Sequence, residues 1–160
     1  MPSHAEKAME IWKGLMGKPE GTGEWLKVEQ GRINTFADAT LDHQFIHIDP
    51  EKSAQLSPYK VTIAHGFLTL SLIPYLGGTV PAADPKAYEG IVMGVNYGLD
   101  KVRFPSPVKV NSRIRAHREL MSAELVNPST IQLKQKVTIE IEGESKPACV
   151  AETLSRLIYG

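Results

Sequence analysis

The chain of 160 residues has a single cysteine, Cys149. An intramolecular disulfide is therefore excluded, and so is a metal site built from cysteine thiolates. Flanked by Ala148, Val150 and Ala151, this thiol reads as a buried packing group rather than a nucleophile. Neither charge sign is in excess, with 18 Lys and Arg against 18 Asp and Glu. That balance removes the electrostatic grounds for binding nucleic acid or an anionic membrane. No window holds the ~20 consecutive apolar residues of a membrane span. Residues 1–17 interleave Glu6, Lys7, Glu10 and Lys13 with their apolar positions, which is not the pattern of a signal peptide. The expected location is the cytoplasm. Repeats and low-complexity tracts are also missing.

What remains is an ordinary globular composition, 42% hydrophobic and 22% charged, in a chain long enough for one domain with its own core. We therefore expect a single domain over 1–160, with residues 1–19 as a helical N-terminal extension. Ala8, Ile11, Trp12 and Leu15 recur at helical spacing, and Gly17-Lys18-Pro19 stops that helix. Trp25 to Val28 reads as a short strand. Gln30 to Leu41 reads as a second helix with Ile33, Phe36, Ala37 and Leu41 turned inward. Asp49-Pro50-Glu51 starts a third, with an aspartate cap and proline at the first helical position.

Residues 66–76 are apolar almost all round, as in a helix buried on most sides. Pro74 should kink or end it. The second half alternates instead. Val108, Val110, Ile114 and Ala116 share one parity; Ile131, Leu133, Val137, Ile139 and Ile141 share another. Period two over such lengths means half-buried antiparallel strands. Asn127-Pro128-Ser129 and Glu142-Gly143-Glu144 are turns, residues 147–158 give a last strand, and residues 90–104 supply one more. One apolar helix and a strip of one-sided strands pack simply: the sheet curls around the helix. The expected fold class is α+β, a hot-dog architecture with the helix at 66–76 and strands mainly from 90–158. A one-sided sheet on so short a chain leaves apolar edges that a two-fold partner would cover.

The polar cluster is Asp42-His43-Gln44-Phe45-Ile46-His47-Ile48-Asp49. Its apolar members turn the segment inward, so Asp42 and His47 form a partly buried carboxylate–imidazole pair. Such a pair can hold one water, one group removing its proton while the other delivers a proton elsewhere. The plainer alternative makes Asp42 a helix cap and His47 a satisfied core histidine. Gly66, at the start of the apolar helix, offers an amide with no helical acceptor, suited to an oxygen that gains negative charge. His65 orders the loop in this reading. Asp49 is a cap. The pattern His47-x-Asp49 with His65 or His117 is also that of a two-histidine, one-carboxylate iron site. The cap assignment weighs against it, so no metal is expected. Arg103 and Arg115 read as solvated strand arginines rather than phosphate ligands.

Taken together, Asp42-x4-His47-x-Asp49-Pro50, Ser57-Pro58-Tyr59, Ile63-Ala64-His65-Gly66-Phe67-Leu68 and the run from Asn96 to Pro105 with Pro107-Val108 resemble the MaoC-like (R)-specific enoyl-CoA hydratases. The branch is that of nodulation protein N. The resemblance covers roughly residues 20–158. It implies a homodimer, an acyl-CoA thioester substrate, Asp42 and His47 as the active pair, the Gly66 amide as oxyanion donor, and no cofactor. The implied reaction is reversible hydration of a trans-2-enoyl-CoA to a 3-hydroxyacyl-CoA. The alternatives are dehydration of acyl-carrier-protein thioesters and acyl-CoA binding without turnover. The family's Gly-Asp-x-Asn-Pro-x-His reads here as Leu41-Asp42-His43-Gln44-Phe45-Ile46-His47, so acid and histidine keep their spacing while glycine, asparagine and proline are replaced.

Overall fold

Ser3 opens the first element. Its hydroxyl accepts the Glu6 amide while the Glu6 carboxylate accepts the Ser3 amide, so two orphan donors are satisfied reciprocally. The helix so capped, α1 (His4–Leu15), buries Ala5, Ala8, Met9 and Trp12. Ile11 and Leu15 are only half-buried. This is a computed structural model describing residues 1–160, and in it α1 belongs to the core. Two short strands follow, β1 (Pro19–Thr22) and β2 (Leu26–Lys27), then α2 (Gln30–Thr40), α3 (Phe45–Ile48) and α4 (Pro50–Leu56). The wrapped helix is α5 (Gly66–Ser71) followed by α6 (Ile73–Gly78). A 3-10 turn at Pro85–Tyr88 leads into β3 (Ile91–Arg103), β4 (Arg113–Asn127), β5 (Thr130–Ile141) and β6 (Cys149–Tyr159).

The strands make one antiparallel sheet in the order β1-β4-β5-β6-β3, with β2 also paired to β4. The α+β hot-dog arrangement expected from the residue pattern is the one observed. The alternation is its cause: Ile131, Leu133, Val137, Ile139 and Ile141 of β5 are all buried, facing the helices on one side of the pleat.

Several expectations are corrected. The alternation beginning at Val108 is not a strand until Arg113, because Asn111 takes φ 68° and breaks the extended run. Strand β1, carrying Gly21 and only four residues long, has no period to detect. The apolar helix is broken at Leu72, and Pro74 is absorbed at the second position of α6, where its missing N–H was an orphan anyway. Nor is that helix buried all round: Leu68, Thr69, Ile73 and Leu76 point in, but Phe67 is 69% and Tyr75 60% exposed. Leu41 faces solvent at 80% exposure because it sits in the left-handed region that ends α2.

Two apolar clusters share the concave face of the sheet. One gathers α5 and α6 with β4, β5 and β6, around Leu68, Leu76, Ile114 and Val137. The other gathers α1 around Trp12, Leu120, Ile131 and Leu133. Leu76 is wholly buried. Leu76→Ala should therefore cost about 2–5 kcal/mol, the range for emptying a core leucine site, read as a lowered urea midpoint with an unchanged m-value. An unshifted midpoint would mean that α6 is not packed as described.

Candidate active site

The site is built where α2 ends. Leu41 turns left-handed at φ 66°, which swings Asp42 out of the helix line. The carboxylate then accepts the Gln44 amide through Oδ1 at 3.3 Å. This short turn leads into α3, a single helical turn held from three sides. Gln30 of α2 donates to the His47 carbonyl at 2.7 Å, Ser53 of α4 donates to the Phe45 carbonyl at 3.1 Å, and the Ile63 amide donates to the Ile46 carbonyl at 2.9 Å. His47 is thereby carried inward and buried, while the Asp42 side chain keeps half its surface in solvent.

The hydrogen bonds fix the imidazole chemistry. His47 Nδ1 lies 2.7 Å from the Ile63 carbonyl oxygen. A carbonyl only accepts, so Nδ1 carries the proton and the neutral ring leaves a lone pair on Nε2. Burial is the largest influence on this ring and holds its pKa below the usual 6.5. The Ile63 carbonyl and the Asp42 carboxylate push the other way, and neighbouring His65 adds to the lowering. The ring is thus a neutral base at pH 7.

His65 is the second member found inside. Its ring stacks on His47 with centroids 3.8 Å apart and planes 22° apart. Its Nε2–H donates to the Asp42 backbone carbonyl at 3.0 Å. That bond ties the end of α2 to the start of α5, so His65 orders the loop as the sequence suggested. Its Nδ1 is buried without a partner, an arrangement that costs stability and recurs at functional positions. One ring nitrogen each of His47 and His65 and one carboxylate oxygen of Asp42 lie within 4.8 Å of one another.

That trio does not suit a shared metal ion. A ligating nitrogen points its lone pair in the ring plane, and two stacked, nearly parallel rings send theirs past each other. The iron-type set considered from the sequence is not brought together either. The Asp49 carboxylate caps α4 through the Lys52 amide at 2.9 Å. His117 stands on β4, bonded to Thr22 and Glu140. Arg115 pairs with Glu140 and lies over Trp25, and Arg103 donates to the carbonyl of its neighbour Val102. Neither arginine reaches the pair.

Gly66 follows His65 directly and begins α5. A Cβ there would sit 3.1 Å from the Phe104 ring, a tight contact that glycine avoids and that any other residue would relieve only by displacing the ring. The Gly66 amide donates to no protein acceptor. Sequence reasoning missed the supports Gln30 and Thr62, whose hydroxyl bonds the Gln30 side chain. Thr62 is buried and Gln30 half-buried, and neither carries a local signal in the sequence.

Cys149 is buried as expected. Desolvation pushes its thiol up to about 11, which removes it as a nucleophile at neutral pH.

Residues 13–142 match the MaoC like domain. The 3-hydroxyacyl-thioester dehydratase Z of Mycobacterium tuberculosis is 45% identical over 142 residues, 89% of this chain and 90% of that protein. Nodulation protein N of Rhizobium meliloti is 45% identical over 141 residues, 88% of this chain and 85% of that protein. The crystal structure of a MaoC-like dehydratase from Rhodospirillum rubrum superposes with a TM-score of 0.69 at 16% identity, over 91% of this chain and 93% of that one. The likeness expected from the Asp42 and Gly66 segments thus extends over nearly the whole chain, which belongs to the MaoC-like family of hydratases and dehydratases.

Proposed function

We propose that the protein adds water reversibly across the double bond of a trans-2-enoyl thioester, giving the (R)-3-hydroxyacyl thioester, with coenzyme A as the carrier. The observation that carries this reading is the tautomer of His47. Its Nδ1–H is spent on Ile63, so its Nε2 keeps its lone pair, and a ring nitrogen of His47 lies within 4.8 Å of an Asp42 carboxylate oxygen. A water held between them loses a proton to Nε2 as its oxygen attacks carbon three. The electron pair of the double bond moves towards the thioester carbonyl. The free Gly66 amide steadies the enolate oxygen. The imidazolium, held by the Ile63 carbonyl and the Asp42 carboxylate, then returns the proton to carbon two. Water is consumed, and no redox step occurs. The relative named as a 3-hydroxyacyl-thioester dehydratase supports the same chemistry run in reverse.

Loss of the enoyl absorbance of crotonyl-CoA, followed by chiral analysis of the product, tests this directly. Formation of the (R)-3-hydroxy product is expected. Absence of turnover with enoyl-CoA of every chain length, together with tight binding, would instead support a non-catalytic acyl-CoA protein. Turnover confined to acyl-carrier-protein substrates would move the carrier assignment.

The reading includes a homodimer. Strand β3 pairs only with β6, so its other side is an edge. Val92, Met93, Val95, Tyr97 and Leu99 on it are all exposed. A long apolar edge is a template for pairing, and a two-fold axis would pair β3 with its own copy. The expected mass in micromolar solution is twice 17.6 kDa. Val95→Lys should shift it towards the monomer. A monomeric wild type would remove the dimer from the proposal.

A further inference from the structure

The concave face of the sheet is apolar at both ends and polar in the middle. On β4 the inward parity runs Ile114, Ala116, Arg118, Leu120. On β5 it runs Leu133, Gln135, Val137. On β6 it runs Ala151, Thr153, Ser155, Leu157. The ladder places Gln135 opposite Thr153 and Asn96 of β3 opposite Ser155, so the interruptions line up into one band. That band separates the two apolar clusters and borders a cavity of about 590 Å³ closed on its other side by α5 and α6. Polar side chains at core positions are where function overrides the folding pattern.

The band is not a loose polar pocket. Glu20 is almost wholly buried and takes Arg118 Nε at 2.6 Å and Gln135 Nε2 at 2.8 Å. Arg118 Nη1 donates to the Gly77 carbonyl at 2.9 Å. The arginine and glutamate charges cancel. Because a carboxylate only accepts, Gln135 must turn its amino group to Glu20. Its Oε1 therefore accepts no hydrogen bond from the protein, and the Ser155 hydroxyl is likewise without a partner. Neither atom is sealed off: the one partnerless buried side-chain atom is His65 Nδ1, and both residues line the cavity.

The cavity shares the wall formed by α5 and α6 with the proposed reaction centre, whose residues Asp42, His47 and Gly66 lie outside its lining. Its helical wall consists of Leu70, Ser71, Ile73, Pro74, Gly77 and Gly78, which recur at helical spacing on one side of α5 and α6. One turn earlier that face begins at Gly66. From Gly66 to Gly77 the helical rise is about 16 Å. An acyl chain whose thioester oxygen rests on the Gly66 amide and which follows this face ends at Gln135 and Ser155.

We infer that this cavity selects an acyl chain bearing a hydroxyl group near its distal end, with the Gln135 side-chain oxygen as acceptor and Ser155 as its second partner. The selected group is neutral, because the paired Arg118 and Glu20 leave no net charge to meet a carboxylate. This specificity rests on the hydratase reading, and a binding measurement separates the two.

The test compares two medium-chain trans-2-enoyl-CoA substrates of equal length, one plain and one hydroxylated on the penultimate carbon. The wild type should favour the hydroxylated chain in kcat/KM by about 10-fold or more, the direction expected when a site with a hydrogen-bonding partner meets the analogue lacking the polar group. Gln135→Met should reverse the preference, and Ser155→Ala should weaken it. A urea midpoint for each variant matching that of the wild type controls for folding. Calorimetric binding of the matching saturated acyl-CoA pair should give the same preference without turnover. A missing crotonyl-CoA activity with that binding preference intact would sink the hydratase reading and leave this one standing. A wild type that binds the plain chain equally well or better would overturn the inference, as would variants that alter both chains alike.

Discussion

Replacing His47 by glutamine should lower kcat/KM for enoyl-CoA hydration by about 10²–10⁴-fold, the range for losing a positioned general base, with little loss of structure. Glutamine retains an N–H donor for the Ile63 carbonyl, and the surrounding bonds from Gln30, Ser53 and Ile63 reach backbone atoms that the substitution does not remove. The pH profile should change as well. Burial holds the His47 pKa below its usual 6.5, so the wild-type acid limb should lie below pH 6.5 and vanish in the variant. Linkage gives a matching sign for stability. The native state binds fewer protons than the unfolded chain just below pH 6.5, so stability rises with pH there. The contribution is complete above the unfolded pKa and lost as pH falls through that window. His47→Gln should be the less acid-sensitive protein. Near-normal turnover in the variant would reject His47 as the base.

Much of the scaffold was legible because its causes are periodic. The β5 alternation forces one face inward, and the all-apolar run at 66–76 demands burial, so the wrapped helix followed with little further input. What escaped depends on partners distant in sequence. The exposure of Phe67 and Tyr75 reflects an uncovered flank of the helix, and no pattern within the helix distinguishes a covered flank from an open one. The strand limit at Arg113 depends on a single left-handed residue, Asn111.

The site shows the same division. Spacing made Asp42 and His47 candidates beside a plainer cap-and-core reading, and the family resemblance made them the expected pair. Their meeting depends on Leu41 turning left-handed, on His65 reaching back to the Asp42 carbonyl, and on Gln30 holding the His47 carbonyl, none of which has a local signature. Gln135 and Arg118 are the opposite case. They break an alternation that was itself visible, and a break in a period is as readable as the period once it is looked for.

Asp42→Asn is the second large loss expected, about 10²- to 10³-fold in kcat/KM, and it bears on how the pair divides its roles. Asparagine keeps an oxygen to accept the Gln44 amide, and the backbone carbonyl that His65 grips is untouched, so the turn at Leu41 should persist. What disappears is the negative charge beside the water and beside the imidazolium that forms on His47. That carboxylate favours protonated His47, so the acid limb of the variant should move to still lower pH. Groups that act on one water as a unit are not additive when removed together. Asp42→Asn combined with His47→Gln should therefore be little worse than His47→Gln alone. A loss equal to the product of the two single losses would place the carboxylate and the imidazole on separate steps, and the shared water between them would have to be abandoned.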